Sequence, residues 1–193
     1  MYHKQRQIKK LTTYIPAAET FRALASEQDC VFLDSSLVND LGRFSIIGAC
    51  PYLKLVKDGE KFFINEKEET GITFEDYLRN YLRDHVDQNE SELPLVSGAV
   101  GYFSYDYGRK LQGVPSGEKA LVKIPDAVLT FYDVYLIEDC HQKETYLVAN
   151  GITADASEKI REMEQKIRQR TERKEEQRVP HNIIVTPNFE KKN

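Results

Sequence analysis

The side chains able to do chemistry are few and scattered. Histidines stand at positions 3, 85, 141 and 181, without a second histidine or a cysteine at metal-binding spacing. Cys140 and His141 are adjacent, but they fall on a predicted hairpin turn and are too little for a metal site. No Gly-x-Ser-x-Gly elbow presents a serine nucleophile. No Gly-x-Gly-x-x-Gly run, and no glycine loop ending in Lys-Ser or Lys-Thr, cradles a phosphate. Ser35 and Ser36 follow Asp34 with no base in sight, and Glu66, Glu68 and Glu69 read as a solvated cluster. Cys30, Cys50 and Cys140 are odd in number, far apart and mostly in apolar surroundings. They read as reduced core thiols of a cytoplasmic protein, because no neighbouring base would activate them. No catalytic residue and no metal ligand is assigned.

Two polar segments with glycine remain as recognition candidates. One is Asp34 to Gly42, a loop between two short apolar runs. The other is Ser97-Gly-Ala-Val-Gly-Tyr-Phe-Ser-Tyr-Asp-Tyr-Gly-Arg109. Glycine weakens a strand and marks a bend or a close approach. The second segment therefore reads as a buried strand pressed against something, ending in a polar turn. Its bland reading is close packing at Gly98 and Gly101, with a local Asp106–Arg109 ion pair.

Periodicity supplies the elements around them. Ile8 to Tyr14 and Cys30 to Leu33 read as strands, with a helix from Pro16 to Ala25 between them. Arg43 to Gly48 is a strand that Pro51 punctuates. Tyr52 to Val56 and Lys61 to Asn65 pair around Asp58-Gly59, a strong hairpin signal. Thr73 to Asp76 has a capping pattern, and Phe74, Tyr77, Leu78, Tyr81 and Leu82 give that helix one apolar stripe through His85. Leu111 to Lys119 is a loop. Ala127 to Asp139 and Lys143 to Asn150 read as a strand pair. From Ala154 to Gln177 the chain is a charged helix with a thin stripe of Ile160, Met163 and Ile167. Ile183 to Val185 adds one more strand. Strands joined by hairpins, with helices inserted, make the class α+β.

Composition narrows the function. The chain has 193 residues, 40% hydrophobic and 30% charged, enough for one sizeable core. A net charge of -4, with no basic block outside the mixed-sign helix, speaks against a nucleic-acid partner. No apolar run reaches the roughly 18 residues of a membrane span, and the N-terminus is too polar for a secretory signal.

Three segments in order carry a resemblance. They are Phe32-Leu-Asp-Ser-Ser36 with Gly42-Arg-Phe-Ser-Ile-Ile-Gly48 and Pro51, then Ser97 to Arg109, then Ile124-Pro-Asp-Ala-Val128 with Phe131-Tyr-Asp133. Together they resemble the N-terminal domain of the chorismate-utilising enzymes anthranilate synthase component I and aminodeoxychorismate synthase component I. The resemblance runs from about Thr12 to Asn193. It implies antiparallel sheets packed face to face with helices outside. It also implies a non-catalytic domain over 1–185, with 186–193 opening the linker into a larger catalytic domain. That domain would bind chorismate and magnesium, so no cofactor is expected in this stretch and the stretch alone is expected to be inactive.

What the resemblance carries onto this chain is an amino-acid pocket. Its positions are Leu33, Asp34, Ser35, Gly42, Arg43 and Phe44, and its ligand would be L-tryptophan. The family often has Glu where Asp34 stands, one methylene longer. The alternative for these residues is structural, with Arg43 paired to a carboxylate and Asp34-Ser35 ending a strand. The implied partners are the C-terminal catalytic domain and a glutamine amidotransferase subunit. Tyr105-Asp-Tyr-Gly-Arg109 leans toward aminodeoxychorismate synthase, with anthranilate synthase as the alternative. A free-standing amino-acid-binding regulatory module is the alternative of another class.

Overall fold

Strands form where β-branched and aromatic residues run, and helices where apolar residues recur every third or fourth position. The computed structural model describes residues 6–39, 41–114 and 123–172. In chain order the elements are β1 (Gln7–Lys10), α1 (Ala17–Leu24), β2 (Val31–Leu33), β3 (Phe44–Asp58), β4 (Lys61–Ile64), β5 (Lys67–Glu69), α2 (Phe74–Asp84), β6 (Ala99–Phe103), α3 (Tyr105–Leu111), β7 (Ala127–Asp139), β8 (Glu144–Ala149) and α4 (Ala156–Glu172). The expected strand at 183–185, the linker over 186–193 and the end of the last helix lie outside the described residues.

The α+β class holds, and every strand pair is antiparallel. The strands join into one hydrogen-bonded sheet rather than two separate ones, in the order β1-β8-β7-β3-β4-β5, with β2 added on β3 and β6 on β7. The reason is the length of β3 and β7, 15 and 13 residues. They pair with each other from Phe44↔Asp139 to Lys57↔Ala127. The far edge of β7 is then shared, by β6 along 127–131 and by β8 along 134–139.

Pro51 does not end the strand, contrary to the sequence reading. β3 runs through it on a bulge, where Pro51 faces Tyr132 and Leu53 faces Phe131. Cys50 takes a left-handed φ of 54° there. Asn65 clamps the irregularity, its side-chain oxygen accepting from the Lys54 N–H (2.8 Å) while its side-chain nitrogen donates to the Tyr52 carbonyl (3.4 Å). The same Asn65, with Glu66, forms the two-residue turn into β5, a strand that sequence patterning missed. The Asp58-Gly59 hairpin forms as expected, with Asp58 opposite Lys61.

Thr73 caps α2, its hydroxyl accepting from the Asp76 N–H at 3.1 Å. A second cap corrects the reading of 105–109 as a polar turn. Ser104 accepts from the Tyr107 N–H at 3.1 Å and starts α3, which buries Tyr107. Residues 11–14 also depart from expectation, because β1 ends at Lys10 and the chain turns off the sheet toward Pro16.

Three clusters make the core. α1 and α4 cover Ile47, Ala49, Val134, Leu136 and Leu147, and the α4 stripe of Ile160, Met163 and Ile167 is fully buried as expected. α2 covers Leu53, Leu55, Phe62 and Phe131 through Phe74. Leu93 and Val96 cover Tyr132, Tyr135, Ile137 and Val148. No helix of the described residues is long and apolar enough to cross a membrane.

Candidate functional site

The pairing of β2 with β3 decides where the candidate pocket residues fall. Leu33 sits opposite Ile46, so Asp34 and Ser35 leave the sheet beside Arg43, Phe44 and Ser45, which enter it. The two strands are thereby stitched by side chains as well as by the ladder. The Ser35 N–H donates to the Ser45 hydroxyl at 3.0 Å, and the Ser35 hydroxyl donates to the Phe44 carbonyl at 2.6 Å. The Ser45 hydroxyl in turn donates to Asp34 Oδ1 at 3.4 Å. Ser45 is buried, while Asp34 and Leu33 are exposed.

Arg43 is committed elsewhere. Its Nε and Nη2 donate to Asp139 Oδ2 at 3.0 and 2.5 Å. Its guanidinium carbon lies 4.6 Å from the centre of the Phe44 ring, within cation–π range. Asp139 is buried, and its other oxygen accepts the backbone N–H groups of His141 and Gln142, both at 3.0 Å. Burial pushes the Asp139 carboxyl up, but the Arg43 hydrogen bond and those backbone donors outweigh it and hold the carboxyl below the usual range.

Gly42 belongs to the loop for want of space. A Cβ there would lie 2.3 Å from the Leu37 carbonyl oxygen. Asn39 fixes this tight bend by accepting from the Leu41 and Gly42 N–H groups at 2.9 and 2.8 Å. The bend turns Leu37 and Leu41 outward, 74% and 98% exposed.

Of the six positions read from sequence, four converge: Asp34, Ser35, Arg43 and Phe44. Leu33 flanks them and Gly42 shapes the approach. Two members were missed. Ser45 was legible, since it follows Phe44 directly within the segment already singled out. Asp139 was not, because it lies at the end of β7, 96 positions from Arg43. The arrangement offers hydrogen bonds and two carboxylates, one of them (Asp139) already taken by Arg43, which suits holding a polar group rather than breaking a bond.

The acid limb of stability checks the Arg43–Asp139 pair. A carboxyl held low in the folded state adds stability that is present above its unfolded value, about 3.9. That stability disappears as pH falls through the lowered folded value. Asp139→Asn is expected to cost about 1–3 kcal/mol at pH 7 and to converge on the parent chain in acid. Urea titrations between pH 2 and 7 measure it, and parallel curves for the two proteins would refute the pairing.

Among the described residues there is no group of three or more His, Cys, Asp or Glu able to take a metal ion. Burial raises the Cys30 thiol to about 11 and pushes Cys50 up as well, which suits inert thiols rather than nucleophiles. A separate cleft of about 420 Å³ opens on the sheet between 27–29, the β3 bulge and Asn65-Glu66, and includes none of the six positions.

A sequence profile described as chorismate binding enzyme matches residues 31–192. The chain belongs to this family. Aminodeoxychorismate synthase component 1 of Escherichia coli is 32% identical over 108 residues, covering 53% of this chain and 24% of the relative. That of Klebsiella aerogenes is 31% identical over 133 residues, covering 66% and 30%. Anthranilate synthase component 1 of Mycobacterium bovis is 30% identical over 142 residues, covering 68% and 28%. The chain thus spans under a third of the length of these relatives. Among solved structures, anthranilate synthase component I from Streptococcus pneumoniae superposes with a TM-score of 0.51 at 24% identity, over 81% of this chain and 33% of that one. That likeness establishes the fold. This chorismate-family chain therefore has named relatives in both synthases.

Proposed function

We propose that this chain is the N-terminal, non-catalytic part of an aminodeoxychorismate synthase component I. Such an enzyme replaces the 4-hydroxyl of chorismate with ammonia delivered by a glutamine amidotransferase subunit in the cytoplasm. The observation that carries the reading is the similarity to the Escherichia coli and Klebsiella aerogenes relatives at 32% and 31% identity. The run Tyr105 to Arg109, with Gly108 directly before the arginine, supports it. The mycobacterial relative supports a second reading, anthranilate synthase component I. Product analysis separates the two. The full-length polypeptide bearing this domain, given chorismate, ammonia and magnesium, is expected to release 4-amino-4-deoxychorismate. Anthranilate as product would sink the first reading and establish the second. No turnover by a folded full-length polypeptide would sink both and leave a binding module.

The same reading places L-tryptophan against Asp34, Ser35 and Phe44. The Asp34 carboxylate suits an α-ammonium, the Ser35 hydroxyl keeps its lone pairs for a polar contact, and the Phe44 ring suits an indole. Arg43 serves by holding Phe44 in place, since Asp139 already takes its guanidinium. Calorimetric titration of tryptophan, with phenylalanine as control, tests this on the chain and on the full-length polypeptide. Selective binding, lost on Ser35→Ala, is expected. Absence of binding by either protein, once stripped of bound ligand, would leave these residues a structural role.

A further inference from the structure

β6 is an unusual edge. Among the described residues it pairs with β7 alone, so alternate backbone amides point away from the sheet. Proteins normally blunt such edges with charge or brevity. The other edges here follow that rule. β1 carries Lys9 and Lys10, β5 consists of Lys67, Glu68 and Glu69, and β2 has three residues. β6 is Ala-Val-Gly-Tyr-Phe and carries no charge.

The surface that continues from it is apolar too. Tyr102 is 40% exposed, Phe103 53% and Tyr105 88%. Leu111 at the end of α3 and Ile124, close by the bond from the Ser104 N–H to the Asp126 carbonyl, are each more than half exposed. Exposed aromatics of this kind mark protein contacts.

We infer that the β6 edge and the exposed side of α3 form the docking surface for the rest of the component I polypeptide, which adds a strand to β6. The occupant is chosen by length. The matched stretch is 24–30% of the curated relatives, so at least 70% of those polypeptides lies outside it and is tethered within reach of this edge. Among the described residues no second surface combines an uncharged strand edge with clustered exposed aromatics. The inference rests on the reading of this chain as part of a component I enzyme.

Hydrogen exchange on the 193-residue chain and on the full-length polypeptide tests it. Alternate amides in 99–103 are expected to exchange quickly in the chain alone and at least about tenfold more slowly in the full-length protein. Tyr102→Lys with Tyr105→Asp is expected to remove that protection and lower activity. The same double variant of the 193-residue chain should keep its thermal midpoint, because both side chains are exposed there. Equal exchange rates in the two proteins overturn the proposal. So does protection in the chain alone that grows with its concentration, which would assign the edge to a second copy. The two readings fail separately. Unprotected β6 in an active synthase sinks the docking surface alone, whereas a full-length protein without synthase activity sinks the component I reading.

Discussion

Gly101→Ala is expected to destabilise the chain by about 3 kcal/mol or more, lowering the thermal midpoint by roughly 6–12 °C. The cause is space, not backbone torsion. A Cβ at Gly101 would sit 1.9 Å from the Val128 carbonyl oxygen, 2.8 Å from its carbon and 2.9 Å from Leu129 Cα. All three are backbone atoms of β7, which is held along its length by β3. β7 cannot yield without breaking its ladder with β3, and β6 can move away only by giving up its ladder with β7. Gly108→Ala is the control. Nothing lies within 4 Å of a Cβ there, and the site is inside α3. Alanine in a helix interior is worth roughly 0.5–1 kcal/mol over glycine, so this change is expected to stabilise. Scanning calorimetry on the two variants reads both signs. An unchanged midpoint for Gly101→Ala would mean that β6 does not press on β7 as described.

This contrast marks what the sequence made legible. The glycine-rich run pointed to a close approach, and Gly101 makes one. Gly108, equally prominent in that run, makes none. The Asp106–Arg109 ion pair forms as read, at 3.0 Å. The β-branched runs of β7 and β8, the Thr73 cap and the α4 stripe were all visible, because each is a local pattern with one physical solution. Pro51 misled, because a proline in a strand normally ends it unless a bulge accommodates the ring. The bulge depends on Asn65, which lies beyond the next hairpin. α3 was hidden because its seven residues carry a glycine and three charged side chains, and because the Lys110–Asp126 pair and the burial of Tyr107 that help hold it are tertiary contacts.

The candidate site follows the same division. Asp34 and Ser35 end a strand, and Arg43 pairs with a carboxylate, as the structural reading of those residues had it. What sequence could not supply was Asp139, since only the β3–β7 register brings it to Arg43. That pair has a consequence for the ligand reading. An arginine spent on Asp139 is not free for a ligand carboxylate, so recognition there falls to Ser35 and the backbone around it. The family assignment, by contrast, came from the order of three segments and needed no tertiary contact.

Asp133→Ala is expected to cost roughly 3–5 kcal/mol and to loosen α4 first. Asp133 is fully buried. Its Oδ1 accepts the Ile152 N–H at 3.0 Å, and its Oδ2 accepts the Thr153 N–H at 2.7 Å and the Thr153 hydroxyl at 2.5 Å. Its carbonyl also takes the Asn150 N–H and side-chain amide at 2.9 and 3.1 Å. These bonds shape the turn at 150–153, where Gly151 supplies a φ of 69°. The turn aims α4 so that Ala156, Ile160, Met163 and Ile167 reach the sheet. Alanine strips three part-buried donors of their acceptor at once, and a desolvated donor without a partner costs more than a bond gained on folding. Asp133→Asn keeps one acceptor but turns an amide N–H₂ toward those donors, so it is expected to recover less than half of the loss. Urea titration gives the total. Limited proteolysis within α4 shows whether the helix detaches before the sheet unfolds. A loss under about 1 kcal/mol for Asp133→Ala would mean that water replaces the carboxylate, and that α4 is held by its apolar stripe alone.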